Sequence, residues 1–172
     1  FDTAGSDINV VVPDDTFNLG TKLHITGSGG TVSFTQSGTS GLQKFTLTHG
    51  VLAEGNVSMV MDGTSRLYPG ATGGAVTSVW NSTGTLTTDP SDTLGLFFNT
   101  AGSTFVIQQG LVEVNGTQLF GQKGNTFIDL QGGALNSSNL FTSGAGQTSS
   151  AINLNGGNIN QSGSMTWNCD AS

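Results

Sequence analysis

The residues that could carry chemistry in this chain are few and scattered. Only two histidines occur, His24 and His49, and neither has a nucleophile and an orienting carboxylate beside it, as a hydrolase base would need. Strand-like alternation places His24 on the side opposite Ile25, facing outwards, and no third metal ligand accompanies the two imidazoles. We therefore predict no catalytic residue, no enzymatic activity and no metal site.

Two pairs of acidic residues offer the only other ligand chemistry. Asp14 and Asp15 are adjacent, and Asp89 lies close to Asp92, so each pair could give carboxylate oxygens to calcium. Neither pair fits the EF-hand loop or the glycine-rich calcium nonapeptide, and aspartate is common in turns because it caps them locally. We predict no cofactor, with calcium as the one alternative.

Aromatic side chains on a polar surface can stack on sugar rings. Trp80 and Tyr68 are the candidates for carbohydrate contacts, whereas Trp167 lies close to the C-terminus and is expected to shield the last coil. The ten phenylalanines are expected to fill the core. Enzymes of parallel β-helix fold that degrade acidic polysaccharides need clustered carboxylates and basic residues, and this chain has only four basic residues, so we keep that activity as a third alternative.

The elements that would have to position these residues follow from a repeated phrase, in which two alternating strands meet at a glycine corner. Ile25 and Leu47 lie 22 positions apart in their copies of the phrase, and the later anchors are spaced by 23 and 24. Such a repeat of strands and turns, without helical periodicity, indicates a stack of β-coils. We predict an all-β fold, a parallel β-helix with about 22–24 residues per coil, and keep an antiparallel β-sandwich as the alternative. The phrase occurs as Leu23-x-Ile25-x-Gly27, Phe45-x-Leu47-x-His49-Gly50-x-Leu52, Phe105-x-Ile107-x-Gln109-Gly110-x-Val112, Ile128-x-Leu130-x-Gly132-Gly133-x-Leu135 and Ile152-x-Leu154-x-Gly156-Gly157-x-Ile159.

The composition agrees with a stacked, uncharged surface. Charged residues make up 9% of the chain, against about 25% in ordinary soluble proteins. Equivalent positions in a solenoid lie about 4.8 Å apart, where two like charges repel by roughly 0.9 kcal/mol even in water. The net charge of −7 and the lack of a cationic cluster argue against nucleic-acid binding, and no apolar run is long enough for a membrane-spanning helix.

The chain is predicted to form one domain over residues 1–172. Residues 1–21 contain the alternating run Ile8-x-Val10-x-Val12 before Pro13, which predicts an edge strand, a cap or a strand that pairs with another subunit. Coils are predicted over 22–167, with an irregular stretch at 69–95, and residues 168–172 form a tail.

Two further phrases resemble a known class of sequence. Gln131-Gly-Gly-Ala-Leu-Asn136 and Leu154-Asn-Gly-Gly-Asn-Ile-Asn160 are similar to the Gly/Asn/Thr-rich β-solenoid repeats of secreted bacterial surface proteins, including autotransporter passengers and adhesins. The resemblance extends over most of residues 22–167. It implies a right-handed parallel β-helix displayed outside the cell, and it brings no catalytic residues with it.

The first functional hypothesis comes from the two ends of such a rod, because unpaired sheet edges bind other edges unless they are capped. We predict a secreted, extracellular or cell-surface structural protein whose subunits stack head to tail into a fibre. The alternative is a monomeric carbohydrate-binding or adhesin domain that contacts surface polysaccharide. The predicted subunit interface comprises Ile8, Val10, Val12, Met165, Trp167 and Cys169, of which Cys169 is either buried in an end coil or bridges two subunits.

Overall fold

A computed structural model describes residues 1–12, 17–36, 44–47, 49–61, 66–69, 74–88, 101–115, 126–137 and 151–161. Within these segments the chain forms β-strands and no helix. The strands are β1 (Ile8–Val12), β2 (Phe17–Leu19), β3 (Leu23–Gln36), β4 (Lys44–Leu47), β5 (Val51–Met61), β6 (Arg66–Pro69), β7 (Thr77–Ser82), β8 (Thr85–Thr88), β9 (Thr104–Ile107), β10 (Leu111–Val114), β11 (Phe127–Leu130), β12 (Ala134–Ser137), β13 (Ala151–Leu154) and β14 (Asn158–Gln161).

The strands wind around three sides of a parallel β-solenoid. The first face contains the N-terminal halves of β3 and β5, followed by β7, β9, β11 and β13. The second face contains β1, the C-terminal halves of β3 and β5, and then β8, β10, β12 and β14. The third face contains β2, β4 and β6. Every one of these pairings is parallel, so the predicted parallel β-helix is confirmed and the antiparallel sandwich is excluded.

One turn of the solenoid takes about 26 residues, more than the predicted 22–24. The residue opposite Ile25 is Ala53, 28 positions along the chain, and not Leu47. Leu47 instead lies on the third face, opposite Leu19 and Pro69. The first predicted spacing was therefore wrong, because it compared residues on two different faces.

The later repeats keep the predicted spacing. Ile107 lies opposite Leu130, 23 positions on, and Leu130 lies opposite Leu154, 24 positions on. The stretch 69–95, predicted to be irregular, contains two regular strands, since β7 and β8 lie in register with β5. The ladder thus continues through the middle of the chain.

Glycines form the corner between the first and second faces in the later turns. Gly110, Gly133 and Gly157 have φ angles of 69°, 69° and 72°. A Cβ atom on Gly133 would lie 2.5 Å from the carbonyl oxygen of Gly110, and one on Gly157 would lie 2.5 Å from that of Gly133. Both the left-handed backbone and the close approach of successive turns require glycine at this corner.

Apolar side chains inside the solenoid stack in columns, one residue from each turn. Because side chains alternate along a strand, every second residue of each strand joins a column. Trp80, the largest fully buried side chain, lies between Ala53 of the preceding turn and Ile107 of the following turn. The small side chain of Ala53 leaves room for the indole ring. The buried core comprises Leu23, Ile25, Val32, Phe34, Val51, Ala53, Val57, Met59, Met61, Trp80, Leu86, Phe105, Ile107, Val112, Val114, Ile128, Leu130 and Leu135.

Candidate functional site

Two short segments lie over the N-terminal end of the solenoid and cover it in part. On the second face, β1 pairs with β3 and places Ile8 and Val10 over Val32 and Phe34. Ile8 and Val10 are only partly buried, whereas Val32 and Phe34 are 0% and 1% exposed. These two residues, predicted as part of the interface, therefore lie on a terminal strand and face the core.

The first face ends at Phe1 and Asp2. A parallel bridge joins Asp2 to Thr26, so Phe1 lies beside Ile25 at the end of its column. The Phe1 ring contacts that of Phe34 edge to face, with centroids 6.1 Å apart, but half of Phe1 remains exposed. This aromatic residue covers the end of the core incompletely.

At the opposite end, β13 and β14 are the last described strands of the two faces. Leu154 lies directly over Leu130, yet Leu154 is 63% exposed and Leu130 is fully buried. On the second face Ile159 lies over Leu135, and Ile159 is again only partly buried. This end therefore also presents side chains of core type that lack complete burial.

The same columns of core side chains run from one end of the described solenoid to the other. On the first face the column at Phe1 and Ile25 runs to Leu154, and its two terminal members are two of the three large apolar side chains that are exposed in the described segments. The second-face column starts at Ile8 and ends at Ile159. Its members are Ile8, Val32, Met59, Leu86, Val112, Leu135 and Ile159.

Polar side chains on the outside of the solenoid pair between neighbouring turns, and two of these pairs join amides. The Asn160 amide donates to Asn136 Oδ1 at 2.9 Å, and the Gln108 amide donates to Gln131 Oε1 at 3.1 Å. Near the N-terminal end, the Thr35 hydroxyl donates to Asn9 Oδ1 at 3.1 Å. Neutral partners can bond in such pairs without the repulsion that stacked charges would add.

Charged residues rarely occupy opposite positions in the strand pairings that the structure describes. Glu113 lies between Thr87 and Asn136 in its row, and Glu54 lies between Thr26 and Asn81. The exception in the described pairings is on the third face, where Lys44 and Arg66 occupy opposite positions on β4 and β6.

The two histidines lie at the surface and are not joined in one site. His24 faces outwards as predicted, and its Nε2 lies 3.0 Å from Glu54 Oε2, with both side chains about half exposed. His49 is exposed in the turn before β5. Across the described parts of the chain, no three histidine, cysteine, aspartate or glutamate residues come close enough to hold a metal ion.

Trp80 corrects the predicted carbohydrate site. Its side chain points into the core and is 0% exposed, so it cannot stack on a sugar at the surface. The alternation of β7 sets this direction, because Ser78, Trp80 and Ser82 share the buried side. Tyr68 has its backbone in β6, but its side chain lies outside the described part of the structure.

Several other predicted residues also lie outside the described residues. They are Met165, Trp167 and Cys169 of the predicted interface and the acidic pairs Asp14–Asp15 and Asp89/Asp92. Val12 is described by its backbone alone, opposite Gln36 at the end of β1. Sequence reasoning missed Phe1, Leu154 and Ile159 as end residues, although Leu154 and Ile159 stand in the last copy of the repeated phrase, which was the available signal.

We found no match to the chain among protein-family models, curated proteins or solved structures. Within the segments described, no helix has the length and apolar character needed to cross a membrane. The features that bear on function are therefore the two solenoid ends and the pairs of polar side chains on the outside of the solenoid.

Proposed function

We propose that this chain is a non-enzymatic structural subunit, displayed outside the cell, that stacks end to end into a fibre or filament. The observation that supports this function best is that the apolar columns reach both ends of the described solenoid with core-type side chains left partly exposed. Leu154 is 63% exposed at one end and Phe1 is 50% exposed at the other. A second copy placed on either end would bury them and continue the columns.

The terminal strands of the second face contain none of the residues by which proteins usually protect sheet edges, although Asp7 and Pro13 flank β1. Natural edge strands carry charged side chains, proline or bulges that prevent pairing with another chain. The strands β1 and β14 read Ile-Asn-Val-Val-Val and Asn-Ile-Asn-Gln, and neither contains a charged residue or a proline. An edge of this kind favours the addition of a further strand through main-chain hydrogen bonds.

The segment after β14 belongs to the same proposal. Met165 and Trp167 would add apolar surface at the C-terminal end, and Cys169 would either be buried there or form a disulfide between subunits. Extracellular display accords with the low content of charged residues and with the polar pairs on the outside of the solenoid. The proposed partner is a second copy of the chain.

Sedimentation velocity over a series of protein concentrations tests this proposal. The wild-type chain is expected to form species of increasing mass as the concentration rises. Leu154→Lys is expected to weaken association by about tenfold or more, because an ammonium group at a closed junction would lose its hydration without a partner. A single monomeric species at every concentration would contradict the proposal.

Val60→Lys is the matched control. Val60 points outwards from β5 in the interior of the ladder, where neighbouring strands lie on both sides. Val60→Lys adds the same charge as Leu154→Lys, but in a strand that is not at either end of the ladder. Equal weakening by both substitutions would show that net charge, and not the end surface, controls association.

The second candidate function, a carbohydrate-binding or adhesin domain, is favoured by two pairs of amides on the outside of the solenoid. Asn136, Asn160, Gln108 and Gln131 present repeated donors and acceptors at the spacing of the turns. Sugar hydroxyls could bond to such pairs, and Tyr68 remains the aromatic candidate after Trp80 is excluded. Retention of the monomer on columns of neutral and acidic polysaccharides, lost on Gln131→Ala, is the result expected for this function.

A further inference from the structure

The proposed stacking has a defined partner edge and register at each junction. We infer that β14 of one copy pairs in parallel with β1 of the next, so that Ile159 lies against Ile8 of the second copy and Leu154 lies against Phe1. This inference rests on the proposed end-to-end assembly and adds to it the polarity and alignment of the joint.

The second-face column sets the register. Inside one copy this column passes from Ile8 to Ile159 through one residue of every turn, and the members of each pairing lie directly opposite each other in the ladder. A shift of one residue at the junction would turn the apolar residues of the added strand outwards and place Asn160 against the core. The alternation therefore excludes odd shifts, and of the remaining registers the one that continues the column from its last member to its first places Ile159 opposite Ile8, with Asn160 opposite Asn9.

The outer row supports the same register. Asn160 already donates to Asn136 within one copy, and Asn9 already accepts from Thr35. With Asn160 opposite Asn9 of the next copy, the neutral pair Asn136 and Asn160 is followed by a further neutral side chain across the joint. The charged member of this row, Glu113, lies two turns before β14, so no two charges are brought together at the joint.

The distribution of charge favours a head-to-tail joint over a symmetric one. The N-terminal end carries the exposed carboxylates of Asp2 and Asp7, whereas residues 151–161 contain no charged side chain and several amides. In the inferred register Asn155 faces Asp2 and Asn158 faces Asp7, so amide donors meet carboxylate acceptors. Two N-terminal ends placed together would instead bring these carboxylates near one another, which is unfavourable.

The first face places its two exposed apolar residues together in the same arrangement. Leu154 and Phe1 are the terminal members of one column, and a single translation that joins Ile159 to Ile8 also brings Leu154 towards Phe1. Both faces thus close with one movement, as is needed for a rod that repeats along a straight axis.

Cysteine cross-linking tests the register in the full-length chain. The background is Cys169→Ser, which removes the native thiol, and the test variant adds Asn9→Cys and Asn160→Cys. Within one copy these positions are six ladder steps apart, about 29 Å at the usual spacing between strands, so a disulfide can form only between copies. Mild oxidation is expected to produce a ladder of covalent dimers, trimers and longer oligomers.

Two control variants separate the possible failures. Asn9→Cys with Asn153→Cys places the second thiol at the same end but on the first face, and is expected to cross-link several-fold less. Asn9→Cys alone would give covalent dimers only if two N-terminal ends meet, and that result would overturn the polarity.

Sedimentation of each variant before oxidation completes the design. If the variants assemble but Asn9→Cys with Asn160→Cys yields no more cross-linking than the first-face control, the register is wrong while the stacking function stands. If the wild-type chain and the background variant do not assemble at all, the proposed function fails and this inference fails with it.

Discussion

The middle of the solenoid and its two ends are built from the same kinds of side chain but differ in burial. In the first-face column Trp80, Ile107 and Leu130 are 0% exposed, whereas Leu154 in the next turn is 63% exposed. In the second-face column Val32 and Met59 are fully buried, whereas Ile8 at the first position is partly buried. Residue type does not explain the difference, since Leu130 and Leu154 are both leucines.

The difference shows that burial in this fold comes from the neighbouring turns. Each turn of a solenoid contacts only the turns before and after it, and a turn at the end of the described ladder has a described partner on one side only. A partner turn supplied by another molecule would restore the burial seen in the middle. The stability of the interior and the proposed assembly at the ends therefore have the same physical origin, which is burial by a neighbouring turn.

The largest difference in the free energy of unfolding is expected between truncation of a column residue in the middle and truncation of one at the end. Trp80→Ala is expected to lower the free energy of unfolding by about 3–5 kcal/mol, because a fully buried indole is lost and a cavity remains. Leu154→Ala is expected to cost about 1 kcal/mol or less in the monomer, since most of that side chain is already in water. Urea-induced unfolding of dilute protein measures both values. Equal losses would contradict the exposed position of Leu154 at the end of the described ladder.

A smaller difference in stability is expected between a glycine at the corner of two turns and a glycine with no close neighbour. Gly133→Ala is expected to cost about 2 kcal/mol or more, because alanine resists the left-handed backbone and its Cβ would press on the Gly110 carbonyl. Gly20→Ala is the control, since a Cβ added at Gly20 would meet no other atom within 4 Å. Thermal unfolding followed by circular dichroism compares the two variants. A Gly133→Ala protein as stable as Gly20→Ala would show that successive corners are not in close contact.

The smallest loss of stability is expected when a neutral side chain on the outside of the solenoid is replaced by a charged one. Asn136→Asp would place a second carboxylate opposite Glu113, and the repulsion is expected to cost roughly 0.9 kcal/mol at low salt and less at high salt. Asn160→Asp adds the same charge in the terminal strand, opposite Asn136, where no carboxylate stands. Unfolding at two salt concentrations should show the larger salt effect for Asn136→Asp. The same salt effect in both variants would argue against stacked charges as the reason for the low charge content.

The fold class could be predicted from the sequence because the alternation and the glycine corners recur. The phrases around Leu130 and Leu154 gave the correct spacing, since the same two faces and a similar connection are present in each. The spacing from Ile25 to Leu47 was wrong because all three faces use strands of period two. A repeated alternation therefore does not reveal to which face a strand belongs.

The candidate site could be predicted only in part. The assignment of Ile8 and Val10 to an end strand follows from their alternation and their position before Pro13, and the structure places them on β1. Trp80 was expected at the surface as an aromatic side chain able to stack on sugar rings. The alternation of β7 directs Trp80 inwards, but the other two residues on its buried side are Ser78 and Ser82, so the strand lacks the apolar pattern that marks a core-facing side. The small Ala53 opposite Trp80 can be identified only from the register between turns.

Negative-stain electron microscopy of the wild-type chain over a concentration series, with and without reductant, tests the central claim most directly. We expect filaments of uniform width that lengthen as the concentration rises, and loss of these filaments in reductant would assign a bridging role to Cys169. Isolated particles of constant size at all concentrations would contradict end-to-end stacking.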